Sequence, residues 1–196
     1  TGMLIFYYLK KINVPLFIRY LSVLIFVANI NVLYMQSVAM TELLLLATMT
    51  AASFELLLWF QSGKIATLIR MAFWVMLSTL IRYDGWFLFF FICVILISYL
   101  FKKRSFKTAE GFFFFYCTLA GFGIFLWFLW NLVIFKDPLY FAFGPFSAHA
   151  QQLQLEDAGV LVTKGNLLFS VRVYLYALIY NSGAFHVLLA LIGAVV

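Results

Sequence analysis

Seven carboxylates stand against thirteen lysines and arginines in a chain of 196 residues. Glu42 closes the segment Gln36-Ser37-Val38-Ala39-Met40-Thr41-Glu42 and opens a long apolar run. A helix dipole favours a carboxylate in that first-turn position by about 0.3–1 kcal/mol. Two readings follow: an acid at a helix start near water, or a ligand-facing carboxylate at the mouth of a helix bundle. Arg82-Tyr83-Asp84-Gly85-Trp86 reverses the chain with almost no loop. Gly85 supplies backbone freedom, Asp84 can cap the helix that follows, and Trp86 suits a membrane interface. Arg82 is costly at the end of an apolar helix. Its guanidinium fits bidentate phosphate binding, a lipid-headgroup anchor, or a local pair with Asp84. The third cluster is Lys136-Asp137-Pro138-Leu139-Tyr140-Phe141. Pro138 stops any helix that precedes it, and Tyr140, Phe141, Phe143 and Phe146 could lay this loop flat on a membrane.

Other polar residues carry less. His149 has no partner at metal-ligand spacing, and no metal site is assigned. Cys93 and Cys117 lie inside apolar runs and read as small buried hydrophobes. Glu55 and Arg172 fall within apolar helices. A charge there usually faces the bundle interior and is paired, and Glu55 is the opposite charge available to Arg172. Arg19 and Arg70 lie about two turns in from the inner face and could snorkel back to it. His186 is given no role.

The elements that position these residues follow from composition. The chain is 66% hydrophobic and 10% charged, with a mean hydropathy of +1.08. Soluble domains carry about 25% charged residues, so the solvent here is largely lipid. The net charge of +6 does not indicate nucleic acid, because the basic residues sit between apolar runs. Backbone in lipid must satisfy its own hydrogen bonds, so the runs are read as helices. They cover residues 3–9, 16–33, 38–60, 65–81, 86–101, 111–135, 166–180 and 184–196. The expected fold is all-α: one polytopic transmembrane bundle over residues 1–196. It has about six complete helices, partial helices at both ends, and an outer loop at 136–165. The short first and last runs suggest a fragment of a longer protein. The positive-inside rule places the loop with Lys102, Lys103, Arg104 and Lys107 in the cytoplasm of a cell-membrane protein. Alternation then puts Glu42, Arg82, Asp84 and Asp137 on the extracytoplasmic side.

Three of these segments resemble the GT-C class of membrane glycosyltransferases, the superfamily of protein O-mannosyltransferases and the lipid A aminoarabinose transferase. Residues 36–42 are similar to its small-residue-then-Glu helix start. Leu80-Ile81-Arg82-Tyr83-Asp84-Gly85-Trp86 is similar to its Arg-aromatic-acid-Gly turn. Asn131 followed by Lys136-Asp137-Pro138-Leu139-Tyr140-Phe141 is similar to its exit into a long outer loop. The resemblance spans residues 1–185. It implies inverting transfer of a sugar from a polyprenyl-phosphate donor to an extracytoplasmic acceptor. An acid would deprotonate the acceptor hydroxyl, and cations would stabilise charge on the departing phosphate. Glu42, Arg82, Asp84 and Asp137 are then substrate-binding residues, and Arg82 and Lys136 are phosphate-binding. The implied partners are membrane lipids, the lipid-linked sugar donor and an unidentified acceptor. No cofactor is indicated, nor specifically a divalent cation. The family's usual catalytic acid lies in a first outer loop that this chain is expected to lack. The base is therefore not assigned, and the piece alone is expected to be inactive. A transporter or flippase, and a non-catalytic membrane scaffold, are the competing readings.

Overall fold

The structure is a computed structural model. It describes residues 1–38, 40–103, 106–161 and 163–195, and their side chains except 186, 194 and 195. Every regular element among these residues is a helix. The chain forms two compact units, Thr1–Pro138 and Leu139–Val196.

The first unit holds α1 (Gly2–Lys11), α2 (Leu16–Val27), α3 (Ile30–Ser37), α4 (Glu42–Ser62), α5 (Ile65–Ile81), α6 (Asp84–Lys103) and α7 (Phe106–Phe135). α5 is its centre. The buried residues Thr67, Leu68, Met71, Ala72, Val75, Ser78 and Thr79 recur at helical spacing along it. It packs against α4, α6 and α7. On α4 the facing stripe is Leu45, Thr48, Ala51, Ala52, Glu55, Leu56 and Trp59. The small Ala51, Ala52 and Ala72 let the two helices approach closely, as small residues do in membrane bundles. α4 ends at Gly63, whose φ of +63° is the left-handed C-cap that glycine adopts most cheaply. Lys64 then starts α5 after a minimal turn.

α4, α6 and α7 are each long and apolar enough to cross a membrane. Helices of this kind indicate a membrane protein of several passes. α7, at 30 residues, is about 45 Å long at ~1.5 Å per residue. That exceeds a hydrocarbon core of about 30 Å.

The expected single run at residues 16–33 is two helices. α2 and α3 meet at a 59° bend. The cause is Asn29, whose side chain accepts from the backbone N–H of Asn31 and Val32 and starts a new helix there. Three further boundaries move outward. α6 begins at Asp84 and runs to Lys103, and α7 begins at Phe106, five residues before the expected start. Helix formers such as Ala109 and Glu110 extend it into the basic loop. Ala39 and Arg104, named above, lie outside the described residues.

The second unit holds α8 (Tyr140–Phe143), α9 (Ala148–Asp157), α10 (Leu167–Ser182) and α11 (Ala184–Val195). The segment expected as a loop at 136–165 thus contains two helices. Ser147 caps α9 by accepting from the N–H of Ala150 at 3.1 Å. Lys164 is ion-paired with Glu156 just beyond it.

Candidate functional site

Because α4 and α5 form an antiparallel hairpin about Gly63, residues equally distant from that turn lie side by side. The hairpin carries two ionic groups on this principle. One joins the start of α4 to the end of α5, and the other sits nearer the turn.

At the first, the Arg82 guanidinium donates from Nη1 to Glu42 Oε1 and from Nε to Asp84 Oδ2, the latter at 3.1 Å. Glu42, Arg82 and Asp84 are thus brought together. The local pair with Asp84 exists, and Glu42 joins it from 40 residues away. The side chains remain partly exposed, at 34% for Glu42 and 42% for Arg82. The second carboxylate oxygen of Glu42, Oε2, is shielded from solvent and has no hydrogen-bond partner among the described residues. Two carboxylates against one guanidinium leave the group one charge negative. It can accept hydroxyl donors at Glu42 and Asp84. It can also donate from guanidinium N–H groups that the two carboxylates do not use.

Backbone packing holds this group in place. The last carbonyls of a helix lack intrahelical partners. The carbonyl of Thr79, three residues before Arg82, is taken by two indoles. Trp86 Nε1 of α6 donates to it at 3.1 Å, and Trp127 Nε1 of α7 at 2.9 Å. Trp86 is therefore a structural donor. Tyr83 packs edge-on against Trp86 and at a tilt against Trp127. Two glycines permit the close approach. A Cβ on Gly123 would lie 2.2 Å from Thr79 Oγ1, and one on Gly85 would lie 2.2 Å from the Ser78 carbonyl oxygen. Gly85 is a helical residue of α6, and its φ is not positive. Its role is the missing side chain, which corrects the expectation of backbone freedom.

Beside the same turn an apolar groove of about 490 Å³ runs between α5 and α7. Leu80, Leu126, Trp127, Leu129, Trp130 and Val133 line it. Leu80 and Trp127 connect it to the Arg82 turn. Lys136 and Asp137 stand nine and ten residues beyond Trp127, a distance of about 14 Å along a helix axis. The Arg82 ion pairs do not bring them in. Asn131, between them, is buried, and its side-chain amide donates to the Trp127 carbonyl at 2.8 Å.

The second ionic group was not anticipated. Glu55 is 2% exposed. Its two oxygens accept from Arg70 Nε and Nη2, each at 3.0 Å, in a bidentate pair. Oε1 also accepts from the Tyr8 hydroxyl at 2.9 Å. Tyr8 itself stacks on Phe54 at 4.9 Å between centroids. The partner of Glu55 is therefore Arg70, where Arg172 had been the candidate. Arg70 turns inward to an acid and does not simply snorkel. Arg172 lies over the Tyr176 ring of its own helix, 5.6 Å from the centroid. The near-equal distances of Glu55 and Arg70 from Gly63 were the signal that could have found the pair.

The two cysteines also meet. Cys93 of α6 and Cys117 of α7 place their sulfurs 3.8 Å apart. No group of three or more His, Cys, Asp or Glu residues among those described could hold a metal ion.

No protein-family model, curated protein or solved structure matches the chain.

Proposed function

We propose that the chain is part of an integral-membrane glycosyltransferase that moves a sugar from a polyprenyl-phosphate donor to an acceptor on the extracytoplasmic side. The observation that carries this reading is the convergence of Glu42, Arg82 and Asp84 beside an apolar groove. Motifs from separate parts of the sequence then contribute to one site. A polyprenyl chain fits the groove lined by Leu126, Trp130 and Val133, and its phosphate end reaches the Arg82 turn. Arg82 anchors both acids and offers its remaining donors to the phosphate. Glu42 and Asp84 accept sugar hydroxyls. Lys136 and Asp137, just past the end of α7, are proposed to meet the donor's phosphate end only once it is bound. In this reading Lys102, Lys103 and Lys107 face the cytoplasm, and the Arg82 end faces outward.

The test is transfer from a polyprenyl-phosphate sugar by the full-length protein. Arg82→Ala should lower kcat/KM for the donor by about tenfold or more, as loss of a charge-assisted contact does. Wild-type donor kinetics in that variant would reject the phosphate role.

A transporter or flippase is the second reading, favoured by the buried Tyr8–Glu55–Arg70 group. Paired charges within an apolar bundle mark ion and substrate paths. Uptake into proteoliposomes without sugar transfer would select it.

A further inference from the structure

At the opposite end of the hairpin from Arg82, a cavity of about 410 Å³ opens where α4 ends and α5 begins. Its polar lining comprises Lys11, Gln61, Ser62, Lys64, Thr67 and Arg70. The three cations come from two helices: Lys11 ends α1, Lys64 caps the start of α5, and Arg70 lies within α5.

Two of the three cations are held in place by the surrounding structure. Arg70 is fixed by the bidentate grip of buried Glu55, yet 47% of its side chain stays exposed. Lys11 Nζ lies 4.9 Å from the centroid of Tyr7 and 5.8 Å from that of Tyr8. Such cation–π contacts hold an ammonium without neutralising it. Glu55 neutralises Arg70, while no acid among the described residues pairs with Lys11 or Lys64. The cavity therefore keeps two uncompensated positive charges. Thr67, 5% exposed, accepts from Arg70 Nη2 at 3.5 Å and has its own hydroxyl proton to give.

A positive cavity with a fixed guanidinium, two ammonium groups and hydroxyl and amide donors matches one ligand chemistry. We propose that this cavity binds a phosphate group through Lys11, Lys64 and Arg70, with Glu55 and Tyr8 as positioning residues. Mobile surface lysines would have to be ordered when a ligand arrives. Here much of that ordering already exists before binding, which lowers its entropic cost. The site is separate from the Arg82 group. Arg70 and Arg82 are about 18 Å apart along α5 at ~1.5 Å per residue. It also stands without the glycosyltransferase reading. The phosphate can belong to a membrane phospholipid headgroup or to a soluble phosphate ester, and both offer the same anion.

The experiment uses the full-length protein in detergent micelles. Binding of fluorescent phosphatidic acid is measured, with inorganic phosphate and glycerol phosphate as competitors. The Lys11→Ala/Lys64→Ala variant removes the two uncompensated charges and leaves the Glu55–Arg70 pair intact. It should weaken binding by about tenfold or more, as loss of charge-assisted contacts does. Lys102→Ala/Lys103→Ala removes two basic residues outside the cavity and should stay within about twofold of wild type. Displacement by millimolar glycerol phosphate identifies a soluble ester as the ligand, and resistance to it identifies the lipid headgroup. Helix content and thermal unfolding of each variant confirm that it is folded. Equal losses in the two double variants would reduce the effect to general surface charge. That result, or undiminished binding by Lys11→Ala/Lys64→Ala, would overturn the proposal.

Discussion

Glu55 and Arg70 meet across the α4–α5 hairpin in a bidentate ion pair with one buried and one half-exposed partner. The pair is unsymmetrical in its surroundings, and that asymmetry has a measurable consequence. Arg70→Ala strands a carboxylate that is 2% exposed. Loss of one partner from a buried pair costs about 3–5 kcal/mol, and Tyr8 offsets only a part. Glu55→Ala leaves an arginine that can turn to water and should cost about half as much or less. Thermal or denaturant unfolding in detergent should rank Arg70→Ala below Glu55→Ala. The reverse order would contradict the burial pattern.

The Arg82 ion pairs should behave differently. All three side chains are one-third exposed or more, and ion pairs so hydrated contribute about 0–1 kcal/mol. Arg82→Ala and Glu42→Ala should therefore each lower stability by less than about 1 kcal/mol. A loss of several kcal/mol on unfolding would recast the group as a structural clamp. It would also remove the reason to give these residues a role in function.

Glycine replacements separate close packing from backbone freedom. Gly123→Ala and Gly85→Ala each push a methyl group onto an atom 2.2 Å away. Overpacking of this kind costs about 1–3 kcal/mol. Gly111 has nothing within 4 Å of the same position. There the better helix propensity of alanine should stabilise by up to about 1 kcal/mol. The three melting temperatures should fall on both sides of wild type, and a shared direction would argue against the α5–α7 and α5–α6 contacts.

The two indoles on the Thr79 carbonyl should be non-additive. Trp86→Phe or Trp127→Phe alone leaves one donor in place and should cost about 0.5–1.5 kcal/mol. The double variant leaves the acceptor without either and should cost more than the sum of the singles. A double-mutant cycle measures this excess. Strict additivity would mean that the indoles act only through their ring packing.

The helices were legible in this sequence because apolar runs broken by Lys, Arg and Gly leave few alternatives in lipid. Ile65–Ile81 has the expected bounds. The break at Asn29 was missed because hydropathy averages over a run, while an N-cap acts through one side chain. α9 was missed because its polar sequence carries no apolar stripe, although Ser147 marks its start. At the candidate site, Glu42, Arg82 and Asp84 could be named as residue types suited to one end of a bundle. Their meeting needed the hairpin geometry. The Glu55–Arg70 pair needed it even more, because Arg70 alone reads as a charge seeking the membrane surface and Glu55 as an acid whose partner the sequence does not name. Cys93 and Cys117 show the same limit, since no spacing rule places two thiols in contact across separate helices.

The shared acceptor at Thr79 makes the Arg82 turn answerable to three helices at once. Its carbonyl belongs to the last turn of α5, and its donors belong to α6 and α7. A ligand that drew Arg82 outward by unwinding that turn would pull the acceptor away from both indoles together. Unwinding at this turn therefore breaks hydrogen bonds to α6 and α7 together. The Arg82 side chain can still shift by its own torsions while both indole bonds stay in place.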